Sequence, residues 1–337
     1  MDSRGQLIGL ATKNITDTLR DALCVTPGEQ QLVIFDTAAP LAGIITESYR
    51  RALPTAEFVD FETITPDEVL ARINALGARD LVVLVQSTNF RLNEFRLRIE
   101  LFKRELKTIE HLHLERIPEE QFATYIEALE YDAQYYRPLG HALKTKLDSA
   151  QEVIVECAGT KLTYFGGMEP TKLNIGDYSE MKNVGGSFPI GEVFTEARDL
   201  TLVNGEAMVF GFAGDDHKVQ ILKPFRVTIE KGILTAPDDA PPEFKHIIEL
   251  IKADEEVLVR ELGFGLNAAM GKHKLVSDIT AFERQKGVHL SLGEKHAIYA
   301  KPGLHRRKGR YHIDIFIDVE KISIDGEAVF FDGDFKR

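Results

Sequence analysis

The sequence predicts an α/β domain with an open, mostly parallel sheet, followed by a β-rich α+β domain. Three observations carry this. Strand-like and helix-like patterns alternate through residues 1–150. The run Leu81-Val-Val-Leu-Val85 after Asp80 is apolar without alternation, as in strands buried on both faces of a parallel sheet. From about Gln151 onward, short strand patterns separated by Gly, Asn and Asp turns replace the crossovers. Strand alternating with helix implies right-handed crossovers in the first half. The boundary falls near Ala150, giving an α/β domain over 1–150 and a β-rich domain over 151–337.

In the first half, Gln31–Phe35 reads as a buried strand closed by Asp36 and the turn up to Pro40, and a helix follows from about Gly43 to Leu53. Ala56–Phe61 is the next strand. Thr65-Pro66-Asp67-Glu68 then opens a helix. Thr65 caps it, Pro66 suits its first turn, and Glu68 completes a capping box. Val69, Leu70, Ile73 and Leu76 follow at helical spacing. After the strand at Asp80–Val85, helical patterns run from Leu92 to Leu106 and, beyond Pro118, from about Glu119 to Leu147. His111 and His113 alternate on a presumed strand and read as edge or surface residues. No G-x-G-x-x-G and no Walker-type loop is present, so the α/β half lacks the usual phosphate cradle.

In the second half, Glu152–Cys157, Leu162–Phe165, Leu200–Val203, Ala207–Phe210 and Val219–Leu222 read as strands, and Glu243–Ala253 as a helix. The last strands are Ile313–Val319, Lys321–Ile324 and Glu327–Phe331. Gly166-Gly167 and Gly185-Gly186 read as turn glycines.

Composition excludes several classes. A net charge of -12 argues against a nucleic-acid partner, which needs a broad basic surface. No apolar run approaches the roughly 18 residues that span a bilayer, and the first residues lack the apolar core of a secretory signal. Cys24 and Cys157 form no metal-type spacing and read as buried, reduced thiols of a cytoplasmic protein.

The chemistry gathers late in the chain. His312 and Asp314 are i and i+2 in a strand and share a face, opposite Ile313, Ile315 and Ile317. An imidazole beside a carboxylate suits a cation that accepts nitrogen and oxygen, although a solvated His–Asp pair has the same spacing. In Val288-His289-Leu290-Ser291-Leu292, His289 and Ser291 face away from the apolar row. Glu261 enters the glycine-interrupted segment Leu262-Gly263-Phe264-Gly265, where glycine permits close backbone approach. Glu192 lies among apolar neighbours after Pro189 and Gly191, a costly place for a charge without a partner or cation. His141, His217, His246 and His273 have no companions that make a constellation.

These segments, taken in order, resemble the aminopeptidase T/aminopeptidase S family of metallopeptidases. The matching blocks are Gly159–Thr163, Gly186–Thr195, Glu261–Asn267, Val288–Gly293, His312–Asp314, and Asp325–Glu327 through Asp332-Gly333. The resemblance covers residues 157–337 and implies two divalent metal ions, zinc, cobalt or manganese, held by Glu192, Glu261, His289, His312 and Asp314. Such a pair activates water against a peptide carbonyl. The implied activity is removal of N-terminal residues, with Glu261 as catalytic carboxylate and a homodimeric assembly. Which carboxylate bridges stays open.

Two departures from the family pattern stand out. Lys161 occupies a position usually held by aspartate. The segment between His289 and His312 is short, so the family's active-site tyrosine falls on Tyr299, with His296 and Tyr311 as alternatives. That segment also carries Lys301, His305, Arg306, Arg307, Lys308 and Arg310, which read either as a solvated loop or as a basic rim that would attract an anionic small molecule or acidic peptide. Ring-cleaving 2,5-dihydroxypyridine dioxygenases resemble the same family, and their single Fe(II) is the alternative centre. A non-catalytic binding protein on the same scaffold is the third expectation.

Overall fold

The computed structural model describes residues 3–92, 95–294 and 311–336. The chain divides into two compact units, an α/β unit and a β-rich one. The first runs through Arg137 and adds Gly176–Ile190 and Lys274–Ala281; the second takes Pro138–Ile175, Gly191–His273 and the chain from Phe282 onward. A boundary at Ala150 has the chain crossing once, whereas here it leaves the first unit within a helix and returns twice.

In the first unit, β1 (Gln31–Phe35), β2 (Glu57–Asp60), β3 (Leu81–Val85), β6 (Lys107–His111) and β10 (Gly185–Ser187) form one sheet ordered β10-β6-β3-β1-β2. Every pairing in it is parallel. All five residues of β3 are buried, as its unbroken apolar sequence requires. The helices here are α1 (Ser3–Asp21), α2 (Pro40–Ala52), α3 (Pro66–Asn74), α4 (Leu97–Lys103) and α5 (Phe122–Ala128). A two-stranded ribbon, β4 (Arg91–Leu92) with β5 (Phe95–Arg96), precedes α4. Leu32, Ile34, Val82 and Leu84 of the sheet pack with Val69 and Ile73 of α3 and Leu97 and Leu101 of α4. The capping box on α3 is formed: the Glu68 N–H donates to Thr65 Oγ1 at 3.3 Å, and Glu68 Oε2 accepts from the Thr65 N–H at 2.8 Å.

Several segments differ from their sequence patterns for local reasons. The helix expected over Leu92–Leu106 shrinks to α4, and Glu105 beyond it adopts a left-handed φ of 59°. The long helix expected from Glu119 breaks after α5 and restarts as α6 (Ala133–Ser149), because Asp132 Oδ1 accepts the Gln134 N–H at 2.8 Å and opens a new helix. Leu200–Leu202 is a 3₁₀ turn rather than a strand, with the Asp199 side chain accepting from the Thr201 N–H. Gly185-Gly186 is not a turn but part of β10. Gly185 takes φ +97°, and a Cβ there would lie 1.9 Å from Thr108 O. Glycine alone lets β10 close on β6, and a glycine strand carries no apolar signature. Cys24 is exposed and Cys157 buried, both as free thiols.

The second unit is one antiparallel sheet with thirteen strands among the described residues. They are β7 (Glu152–Cys157), β8 (Thr160–Phe165), β9 (Lys172–Asn174), β11 (Glu192–Glu196), β12 (Val203–Ala213), β13 (Val219–Glu230), β14 (Ile233–Thr235), β15 (Val259–Gly265), β16 (Gly287–Gly293), β17 (His312–Ile317), β18 (Lys321–Ile324), β19 (Glu327–Phe331) and β20 (Asp334–Phe335). Its order is β20-β19-β18-β7-β8-β12-β17-β16-β15-β11-β9, with β13 on β12 and β14 on β13. Helix α7 (Pro242–Lys252) seats Phe244 against Phe212 and Phe225, with ring centroids at 5.4 and 4.9 Å. No helix among the described residues is long and apolar enough to cross a membrane.

The two histidines of the first unit depart from an edge pair. β6 lies between β3 and β10, so His111 is internal and buried. Its Nε2 and Nδ1 each lie 2.8 Å from a tyrosine hydroxyl, those of Tyr49 and Tyr125. His113 lies past the strand in a left-handed turn, φ 53°. Burial pulls the His111 pKa down to about 3. In the unfolded chain an imidazole titrates near about 6.5, so as pH falls below that value the unfolded state gains a proton that the folded state refuses. Stability therefore falls between roughly pH 6.5 and the folded value. Urea midpoints measured across this window will decline less steeply for His111→Gln than for wild type; parallel slopes would contradict the assignment.

Candidate metal centre

Four adjacent strands, β11, β15, β16 and β17, carry the candidate residues, and their register decides which side chains meet. Across β11 and β15, Glu192 faces Gly265, Phe194 faces Gly263, and Glu196 faces Glu261. Across β15 and β16, Gly263 faces His289; across β16 and β17, Ser291 faces Asp314 and Gly293 faces His312. Directly opposed residues of antiparallel strands project to the same side. Glu192, Glu261, His289, Asp314 and His312 therefore share one face of the sheet. The face assignments made from i, i+2 spacing hold for His289, His312 and Asp314.

Two backbone features aim these side chains. Register shifts in β15 between Val259 and Leu262 as it runs along β16, a bulge at Glu261. Bulges turn a side chain out of ladder alignment. Opposite His289, Gly263 leaves the space the imidazole occupies: a Cβ there would sit 2.1 Å from His289 Cε1 and Nε2.

Glu192, Glu261 and His289 are all buried and converge, each offering a donor atom within 4.8 Å of the others. His289 Nε2 lies 3.4 Å from Glu261 Oε1 and 3.5 Å from Glu192 Oε1. Direct charge-assisted hydrogen bonds run nearer 2.7–2.9 Å. The His289–Glu261 contact is thus a long hydrogen bond, and both spacings also match the edge of a tetrahedron of ligands at about 2.1 Å from a common centre, roughly 3.4 Å. His289 Nδ1 is buried with no hydrogen-bond partner. Two carboxylate oxygens and an imidazole nitrogen at this spacing fit a divalent cation.

His312 and Asp314 adjoin this trio on the same face. His312 Nε2 lies 3.5 Å from Asp314 Oδ1, and His312 Nδ1 lies 3.3 Å from the Glu294 carbonyl, which orients the ring. Ser291, buried, donates to Asp314 Oδ1 at 2.6 Å and fixes that carboxylate. Arg284, also buried, places Nη2 3.4 Å from Glu192 Oε2.

The electrostatics express this crowding. Burial raises the Glu192 pKa, with Arg284 and His289 opposing and Glu261 and Asp314 adding to the rise. For His289, burial pulls the pKa down, but the hydrogen bond to Glu261 and the charges of Asp314 and Glu192 outweigh it and the net shift is upward. His312 rises as well: burial lowers it, and Asp314 and Glu261 more than compensate. A cation entering here competes with protons, so its affinity falls as pH is lowered.

Arg284 and Ser291 escape the sequence pattern, though Ser291 shares the His289 face. Arg284 sits in the polar stretch Glu283-Arg284-Gln285-Lys286, which carries no periodic signal. Tyr299, His296 and the basic residues Lys301, His305, Arg306, Arg307, Lys308 and Arg310 lie outside the described residues. Lys161 is exposed on β8, outside the four strands of the site.

No protein-family model matches the chain, and no curated protein matches it. Solved structures do match over nearly the whole length. One is 2,5-dihydroxypyridine dioxygenase from Pseudomonas putida KT2440, 17% identical with a TM-score of 0.64, covering 100% of this chain and 98% of that one. Another is AmpT from Thermus thermophilus, 13% identical with a TM-score of 0.59, covering 97% and 99%. At these identities the likeness establishes the fold.

Gly263→Ala tests the cradle directly. The added methyl displaces the His289 imidazole, and affinity for Zn²⁺ measured by calorimetry will fall by about tenfold or more. An unchanged affinity in a folded variant would contradict the placement of His289 in the centre.

Proposed function

We propose that the chain is a metal-dependent hydrolase that cleaves an N-terminal peptide bond or a related amide. The observation that carries this is the convergence of Glu192, Glu261 and His289 at spacings long for a charge-assisted hydrogen bond and suited to a shared cation. Likeness in fold to AmpT, an aminopeptidase, supports it.

A divalent ion held there would polarise a substrate carbonyl and make water a nucleophile near neutral pH. Glu192 Oε1, Glu261 Oε1 and His289 Nε2 would hold it, with Asp314 and His312 beside them. Glu261 has its second oxygen to receive the proton that attacking water loses, and can pass it to the leaving amine. Ser291 keeps Asp314 in one rotamer, and the Glu294 carbonyl keeps His312 Nε2 turned toward Asp314. The buried strands exclude competing solvent from the carboxylates.

A second reading is oxidative ring cleavage at a single Fe(II). It draws on the likeness to 2,5-dihydroxypyridine dioxygenase, which covers this chain from end to end.

One assay separates the two. Chelator-stripped protein is reloaded with Zn²⁺, Co²⁺ or Mn²⁺ and offered aminoacyl p-nitroanilides and short peptides, acidic ones included because of the basic Lys301–Arg310 sequence. A parallel sample takes Fe²⁺, 2,5-dihydroxypyridine and oxygen. We expect metal-dependent release of the N-terminal residue, reduced on the order of 10²–10⁴-fold in Glu261→Gln. Oxygen uptake without amide cleavage would replace this reading by the second.

A further inference from the structure

Glu192 stands between two positive partners. Its Oε1 faces His289 Nε2 at 3.5 Å, in the trio that suits a cation, and its Oε2 faces Arg284 Nη2 at 3.4 Å. The guanidinium is held firmly. Its side chain is 7% exposed, and its other arm pairs with Glu283, the more solvent-exposed carboxylate at 22%. The backbone beneath it is held at the end of β15: the Asn267 N–H, two residues past the strand, donates to the Arg284 carbonyl at 2.9 Å, and a Cβ on Gly265 would come within 2.8 Å of that carbonyl oxygen.

A dinuclear centre of the kind the family resemblance implies sets two ions about 3.5–4 Å apart, usually with a carboxylate giving one oxygen to each. Two of the three acids beside His289 have an oxygen engaged elsewhere. Glu192 Oε2 faces the Arg284 guanidinium in an ion pair at 3.4 Å, and Asp314 Oδ1 accepts from Ser291 at 2.6 Å. Glu196, on the same face, has its own cation in Arg260 at 3.8 Å. Charge gives the same answer. Glu192, Glu261 and Asp314 contribute three negative charges, Arg284 returns one, and Glu283 on the other arm of Arg284 is partly exposed and so partly screened. One divalent ion offsets most of what remains, and Arg284 already brings a fixed positive charge to Glu192 Oε2.

We propose that this centre binds one divalent ion, in the Glu192–Glu261–His289 trio, and that Arg284 takes the place of a second. The inference rests on the reading of the site as a metal centre, and it makes Arg284 a positioning residue that sets how many ions enter. Arginine suits the role because its guanidinium stays protonated.

The test counts metal on the full chain. After chelation and reloading with Zn²⁺, elemental analysis and calorimetry should give one ion per chain for wild type and for Arg284→Lys, and two for Arg284→Met. Loaded with Mn²⁺, wild type should show the paramagnetic resonance spectrum of an isolated ion; this readout needs no variant and stands if Arg284→Met fails to fold. Two ions in wild type, or a spin-coupled manganese pair, would overturn the inference while leaving the metal centre intact. So would a folded Arg284→Met that still takes one ion with wild-type affinity. No ion at all in wild type would fail the metal reading itself.

Discussion

Three ionisable side chains, Glu192, Glu261 and His289, are buried together on one face of an antiparallel sheet, and the local structure is arranged around them. Isolated carboxylates in a dry environment are strongly unfavourable, and two of them near one imidazole are worse unless positive charge is supplied. Arg284 supplies one charge from one side. The other donors stand 3.4–3.5 Å apart, wider than a charge-assisted hydrogen bond favours, and that spacing fits a cation. This requirement explains why glycine stands opposite His289 and why β15 is bulged at Glu261.

The scaffold suits a metal centre because the candidate ligands come from strands rather than loops. β17, β16, β15 and β11 are hydrogen-bonded neighbours, and their ladders fix backbone positions across the site. The faces opposite the ligands are apolar and buried: Leu262, Phe264, Val288, Leu290, Leu292, Ile313 and Ile315 anchor them in the core. Ligand atoms held by packed strands lose little entropy when a cation arrives, which favours selective binding. The same sheet separates roles, since Ser291 and the Glu294 carbonyl hold Asp314 and His312 in place beside the trio.

Much of this is legible in the sequence. Period-two spacing placed His289 with Ser291, and His312 with Asp314, because strand geometry leaves only two faces. Glu192 and Glu261 stood out as charges in apolar, glycine-broken segments. Spacing alone could not bring the strands together, because register across four chain-distant segments comes from ladder hydrogen bonds and a bulge. Arg284 was hidden for a related reason: its partner Glu192 is far away in sequence, and its neighbours look solvated. In the first unit, the strands and the α3 capping box were plain from local patterns. The contribution of Gly185–Ser187 to the parallel sheet was not, since glycine has no side chain to announce burial.

The most direct test of the central claim is a crystal structure of the Zn²⁺-loaded protein, with diffraction recorded on both sides of the zinc absorption edge. The account predicts an anomalous peak bounded by Glu192 Oε1, Glu261 Oε1 and His289 Nε2, with the three donors still apart. A peak elsewhere, or a trio closed into direct hydrogen bonds around no ion, would contradict it.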